Sequence, residues 1–155
     1  IFYTSKLYGD MSLMVYYLIM TLYGWYRWLG NRLPGNKDSK KLEISIMNKR
    51  EWLIMIFIGG ILNYAGWMIL GYTDDTLPFW DSFTTIWAIV GTWMMAEKKL
   101  ENWLIWIIVD FVSVWMYFYK DLYFTMILYG IYTVMAVIGY IEWRQKIYLN
   151  NYNAI

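Results

Sequence analysis

Five apolar runs set the terms on which this chain can fold. They cover about Leu7–Leu29, Trp52–Gly71, Pro78–Ala96, Trp103–Tyr119 and Leu122–Trp143. Each is close to the roughly 20 residues an α-helix needs to cross bilayer hydrocarbon. None alternates with the period of two that a barrel strand requires. A soluble helical protein would need a charged face on each helix, and these runs carry almost none. Charged residues make up 16% of the chain, against about a quarter in soluble domains. The expected fold is an all-α integral membrane protein, multi-pass, with five transmembrane helices and the lipid bilayer as its surroundings.

The same composition removes several function classes. The formal net charge is +1, so nothing points to nucleic acid. There is no Cys and no His, which excludes disulfides, thiol chemistry, the usual zinc sites and histidine acid–base chemistry. No GxxxxGK(S/T) phosphate loop, acid–base pair or metal cluster is readable, so no enzyme, cofactor or metal is expected. The chain begins at Ile1 without a signal-peptide pattern, and an N-terminally incomplete sequence is the expectation.

Boundary signals divide the chain. Asn48 and Glu51 have capping-box spacing ahead of the second run. Pro78 opens the third from the first helical turn, with Asp81 close behind. The polar stretch Asn31–Lys49 turns at Pro34-Gly35 and is expected to hold a short surface helix around Leu42–Met47. The link at Lys120-Asp121 is so short that the fourth and fifth runs must be antiparallel neighbours. Lys and Arg then orient the whole. Eleven of the thirteen flank one side: Arg27, Arg32, Lys37, Lys40, Lys41, Lys49, Arg50, Lys98, Lys99, Arg144 and Lys146. Lys6 and Lys120 fall on the other side. The bias puts the C-terminus in the cytoplasm and the Asp74-Asp75 turn outside.

The chain also repeats itself. Leu7, Tyr8, Met11, Leu13, Tyr17, Met20, Gly24 and Trp28 match Leu122, Tyr123, Met126, Leu128, Tyr132, Met135, Gly139 and Trp143 without a gap. Helices four apart point the same way, so this is a parallel repeat of the kind transporters use. A three-helix repeat unit would place two more helices before Ile1. The expected organisation is 1–30 as the last helix of a first bundle and 31–50 as a cytoplasmic linker. A linker helix (51–72), a second three-helix bundle (73–146) and a cytoplasmic tail (147–155) follow.

Candidate site residues lie mostly on the fourth run. Trp103, Trp106, Asp110, Ser113 and Tyr117 follow at steps of three and four and share one helical face. Asp110 is the one ionisable residue deep in a predicted span. A central Asp costs about 2.5–3.5 kcal/mol on insertion scales, so it faces protein or water. Two readings stand: it binds a polar or cationic solute, or it bonds hydroxyls between helices. Trp106, one turn away, suits a flat cationic ring, while Trp103 and Tyr117 fit equally an interfacial belt or packing. Thr84, Thr85 and Thr92 stand where they can face the fourth run, although membrane threonines commonly bond their own backbone. Thr21 of the first run can face a central pathway. Asn63, among Gly59, Gly60 and Gly66, reads as close helix packing.

Several stretches together resemble the PnuC-type nicotinamide riboside transporters. They are YGWYRW (Tyr23–Trp28), LPFWDSFTT (Leu77–Thr85), ENWLIWIIVD (Glu101–Asp110), YKDLYFTMILY (Tyr119–Tyr129) and GYIEW (Gly139–Trp143). The resemblance implies two parallel three-helix bundles joined by a linker helix, seven spans in all and often a trimer, of which this chain supplies the last five. It implies facilitated diffusion of nicotinamide riboside across the bacterial inner membrane, with phosphorylation by a cytoplasmic kinase trapping the vitamin. It implies a ligand held between the bundles by a W-x-x-W-x-x-x-N/D pattern, here Trp103, Trp106 and Asp110. Asp110 stands where many relatives have Asn, and Thr21 where many have an amide. A related vitamin of the thiamine type is the alternative substrate. A membrane scaffold with no pathway, or a small three-helix-bundle sugar transporter, are the alternatives from other classes.

Overall fold

The computed structural model describes residues 2–29, 42–72 and 76–153. Five helices fill them: α1 (Phe2–Leu29), α2 (Lys49–Leu70), α3 (Pro78–Ala96), α4 (Asn102–Tyr119) and α5 (Tyr123–Asn153). They coincide with the five apolar runs. By length and hydropathy α2, α4 and α5 qualify as membrane spans. The helices α1 and α3 have comparable length but are richer in Tyr, Trp and Thr. The fifth helix continues well past Trp143, so its 31 residues extend about 46 Å. That exceeds the roughly 30 Å of hydrocarbon, and the expected tail begins as helix.

The third helix is the hub. It packs against α1, α2 and α4, and α5 completes the array by packing on α4. Neighbour registers give the directions. Tyr16 reaches Ile89 and Trp28 reaches Ala96, so α1 and α3 run parallel. Gly91 meets Trp106 while Trp80 meets Trp115, so α3 and α4 run antiparallel. Trp103 meets Trp143 while Tyr117 meets Tyr129, which makes α4 and α5 antiparallel as the short link requires. The apolar core lies where α2, α3 and α4 converge, on Met55, Ala88, Met94, Ile105 and Val109, with Met47 closing one end. On the α2–α3 seam Ser82 donates to the Asn63 carbonyl at 3.0 Å, and Gly59 makes room for the Trp87 ring. Asn63 therefore sits in a close helix contact.

The expected short helix at Leu42–Met47 is not there. Residues 42–48 are extended, and Ser45 forms a parallel bridge with Lys99. The Ser45 amide donates to Lys98 O at 3.0 Å, and the Leu100 amide donates to Ser45 O at 2.9 Å. The Met47 amide donates to the buried Glu101 carboxylate at 2.7 Å. Ile44 and Ile46 are β-branched and favour extended backbone, and the turn between α3 and α4 offers partners that a lone helical turn could not match. The capping pair at Asn48 is present, with the Asn48 amide donating to Glu51 Oε2 at 2.8 Å. The Pro34-Gly35 and Asp74-Asp75 turns lie outside the described residues.

Both helix ends that flank α4's loops close the same way. Lys98 and Asp121 hold φ of 51° and 57°, the left-handed region. After α3, Lys99 N donates to Met94 O and Lys98 N to Met95 O; after α4, Leu122 N donates to Tyr117 O and Asp121 N to Phe118 O. These are Schellman closures, which glycine usually supplies. Asp121 makes only an exposed contact, accepting from the Tyr123 hydroxyl at 3.0 Å. Asp121→Gly is therefore expected to raise stability by about 1 kcal/mol, some 2–4 °C in thermal midpoint. Thermal unfolding of the purified protein in detergent measures this, and a lowered midpoint would contradict it.

Candidate functional site

The face of α4 predicted from spacing is real, and it points inward. Asp110 is 4% exposed and Ser113 3%, at the middle of a helix about 27 Å long. Trp106 lies against Gly91 of α3, whose missing side chain leaves the indole about 3.3 Å from where a Cβ would be. Trp103 lies against α5, edge-on to Trp143 at 5.4 Å between centroids and over Gly139. Tyr117 stacks on Tyr129 of α5 at 5.2 Å and 22°.

The polar groups on this face are short of partners. Ser113 donates to its own helix, to Val109 O at 2.8 Å. No described residue donates a hydrogen bond to the Asp110 carboxylate. The buried indole nitrogens of Trp103 and Trp106 have no acceptor among the described residues. One acceptor and two donors thus stand unspent along two turns of one helix. Buried polar groups are satisfied in the great majority of cases; Asn63 Oδ1, Glu101 Oε2 and Asn102 Oδ1 also lack partners among the described residues, so what sets this face apart is two unspent donors beside a carboxylate.

One aromatic hydroxyl, that of Tyr129 on α5, lies near the acid. Asp110 and Tyr17 of α1 both lie within electrostatic reach of the Tyr129 hydroxyl, which also interacts with that of Tyr117. Tyr17 and Tyr129 were not singled out in the sequence, where sixteen tyrosines hide any two. Tyr17 belongs to the matched repeat pairs, and that was the available signal.

The other predicted residues are placed differently. Thr21 is exposed on α1 and spends its hydroxyl on Tyr17 O at 2.7 Å. Thr84 and Thr92 likewise bond backbone carbonyls of α3, at 3.1 Å to Trp80 O and 2.8 Å to Ala88 O. Thr85 is exposed, one turn from the Ile89 carbonyl that takes the Tyr16 hydroxyl at 2.9 Å. It therefore stands on the α1 side of α3 rather than the α4 side. No described contact joins Thr21 or Thr85 to Asp110.

One end of this face is closed by aromatic rings. Trp28 of α1 meets Trp143 of α5 at 5.9 Å, and Trp143 meets Trp103. Trp28 and Trp143 are counterparts in the 115-residue repeat. Two equivalent residues touching each other is what a repeat axis running between α1 and α5 produces. Beside them α1 is bonded to the end of α3. Tyr23 donates to Glu97 Oε1, Arg27 to Glu97 Oε2 at 2.6 Å, and Trp28 Nε1 to Ala96 O at 3.1 Å. Burial pushes the Glu97 carboxyl up, but the hydrogen bonds from Arg27 and Tyr23 and the charges of Arg27 and Lys99 outweigh it, leaving it below the ordinary range.

Known proteins share this architecture. A family model described as nicotinamide mononucleotide transporter matches residues 1–145. The nicotinamide riboside transporter PnuC of Escherichia coli K12 is 27% identical, over 92% of this chain and 69% of the relative. That of Neisseria mucosa is 25% identical, over 94% of this chain and 58% of the relative. The riboflavin/roseoflavin transporter RibM of Streptomyces davaonensis is 25% identical, over 87% of this chain and 63% of the relative. A crystal structure of the vitamin B3 transporter PnuC superposes with a TM-score of 0.66 at 24% identity, covering 92% of this chain and 64% of that one. The likeness to the solved structure is one of fold.

Proposed function

Because the chain belongs to the nicotinamide mononucleotide transporter family, we propose that it is the part of a uniporter that holds nicotinamide riboside at mid-membrane during uptake. The observation that carries this reading is the Asp110 carboxylate, on a buried residue with no described donor, one helical turn from the Trp106 indole and within electrostatic reach of the Tyr129 hydroxyl. Nicotinamide riboside is a flat pyridinium cation carrying ribose hydroxyls and a carboxamide. A buried anion offsets its charge. Trp106 offers a ring face to the pyridinium and an N–H to an acceptor oxygen. Tyr117 and Tyr129 supply the neighbouring wall, and Trp103 contributes its N–H from the far side while its ring is seated on α5. Thr21 and Thr85 have no role in this reading.

The protein belongs to a transporter family and sits in a membrane. We place it in the bacterial inner membrane with the C-terminus in the cytoplasm, supported by the asymmetry of Lys and Arg. The relatives' greater length supports a plan of two three-helix units joined by α2, with α1 closing the first and α3–α5 forming the second. Facilitated diffusion needs no coupling ion, and a cytoplasmic kinase would trap the vitamin.

The second reading is a flavin, favoured by the likeness to the riboflavin/roseoflavin transporter. A neutral isoalloxazine would leave the Asp110 charge without a counter-charge, which disfavours it on energetic grounds. Competition decides. In cells expressing the full-length protein, excess unlabelled nicotinamide riboside is expected to suppress labelled nicotinamide riboside uptake, and riboflavin and thiamine to suppress it at least about tenfold less effectively, a difference of about 1.4 kcal/mol. Because the solute is a cation, uptake should follow the membrane potential, while removing the pH gradient at constant potential should leave initial uptake unchanged. Stronger competition by riboflavin or thiamine would move the substrate assignment.

A further inference from the structure

The hydrogen bonds between α1 and α3 are not spread along the interface. Among the described residues one, from Tyr16, lies at mid-helix, and the other three gather at the last turn of α3 on Ala96 and Glu97. Glu97 takes a partner from α1 on each carboxylate oxygen. Immediately beside it Lys98 Nζ lies 4.7 Å over the Trp28 ring, and Trp28 leads through Trp143 to Trp103. That ring chain spans α1, α5 and α4. It closes the end of the face on which Trp103 lies about 10 Å from Asp110. A groove of about 410 Å³, lined by Trp28, Met95, Trp103 and Ile138 among others, opens at the same place.

We propose that Glu97, gripped by Tyr23 and Arg27, is the latch of the cytoplasmic gate, and that the Trp28–Trp143–Trp103 chain is the plug it holds shut. The inference rests on the transport reading of the Asp110 face, and it adds a moving part to it. The structure is then the state closed toward the cytoplasm.

Two features make the contact releasable rather than fixed. The Arg27–Glu97 pair is partly solvated, with side-chain exposures of 41% and 17%. Water can replace each partner as the pair parts, whereas a dry ion pair would open at the cost of two unpaired charges. Beneath the pair, Gly24 faces Ala96 so closely that an added Cβ would lie 3.3 Å from the alanine methyl. Two small surfaces with no interlocking side chain let α1 pivot on α3. The plug itself is made of ring edges and faces, which slide past one another without leaving a charge behind.

These 155 residues contain no cysteine, so with any cysteine outside them replaced, single introduced thiols report cleanly. In the full-length protein carrying Ser113→Cys, at a position buried on the Asp110 face beyond the plug, a membrane-impermeant maleimide applied from the cytoplasmic side reads passage through the gate. Adding Glu97→Ala is expected to speed labelling about tenfold, and Glu97→Gln, which keeps an acceptor, less. Labelling needs no substrate, so it tests the latch even if the transported vitamin proves to be another. Unchanged labelling in Glu97→Ala protein that remains monodisperse would overturn the latch. The lock is tested separately with Gly24→Cys and Ala96→Cys together, whose Cβ atoms would be near disulfide distance. Oxidation is expected to stop uptake and a reductant to restore it. Oxidised, cross-linked protein that transports as fast as the reduced form would show that α1 and α3 need not part at this point.

Discussion

Asp110→Leu is expected to make the protein more stable and nearly inactive. Uptake of nicotinamide riboside should fall at least about tenfold at equal expression, the loss of a charge-assisted contact of about 1.5–3 kcal/mol. The thermal midpoint should rise at the same time. Asp110 is buried with no described donor, and a central carboxylate opposes insertion by about 2.5–3.5 kcal/mol. A leucine of similar size removes that cost. The opposed signs separate the two readings of this residue. A structural Asp110, bonded between helices, would lose stability on the same substitution. Asp110→Asn keeps shape and hydrogen-bonding capacity but not charge, and should bind the cation less well while leaving expression intact. Uptake of Asp110→Leu equal to the parent would remove Asp110 from the site.

Gly139→Ala should be among the most damaging single-methyl changes in the chain. A Cβ there would lie 2.6–2.7 Å from three atoms of the Trp103 ring, closer than carbon atoms pack. The ring also meets Trp143, one turn further along α5, edge-on at 5.4 Å, so a shift of the ring disturbs that contact as well. Overpacking of this kind costs about 1–3 kcal/mol, or roughly 2–12 °C in thermal midpoint for a protein of this size. It also displaces Trp103 from the face it shares with Asp110. Trp103→Leu in the same protein should recover much of the stability, since the clash is with that ring. A double-mutant cycle measures the coupling. Additive effects would mean that Gly139 is needed for its backbone and not for the space it leaves.

The parts of this architecture that depend on local pattern were readable in advance. Five long apolar runs fix five helices, because hydrocarbon tolerates no unpaired backbone. Asn48 with Glu51 and Pro78 with Asp81 mark helix starts, since their hydrogen bonds are local. The inward face of α4 follows from the spacing of Trp103, Trp106 and Asp110, which depends only on the helical repeat. What could not be read was set by partners distant in sequence. Leu42–Met47 reads as a short surface helix, but its backbone pairs with residues 98–101. Thr85 looks available to α4 until the rotation of α3 turns it toward α1. Tyr129 joins Asp110 only because α5 packs antiparallel on α4, and one tyrosine among many carries no mark of that. Glu97 sits in a charged turn that resembles any cytoplasmic loop, and its role as an acceptor depends on Tyr23 and Arg27 arriving from another helix.

The extended segment before α2 has a consequence for how the protein is made. Its hydrogen-bond partners are downstream: Met47 waits for Glu101, 54 positions later. At about 5–20 residues per second of synthesis that is a delay of several seconds. During it the ribosome produces α2 and α3, and both must enter the membrane. Over that interval Ile44, Ile46 and Met47 leave the ribosome as an unpaired apolar ribbon on the membrane surface. The ribbon is captured when Lys98 to Glu101 emerge, and the same short turn then receives Tyr23, Arg27 and Trp28 as well. A single stretch of nascent chain thus fastens two earlier pieces at once, so assembly of this end of the protein is expected as one late event and not as a gradual accretion.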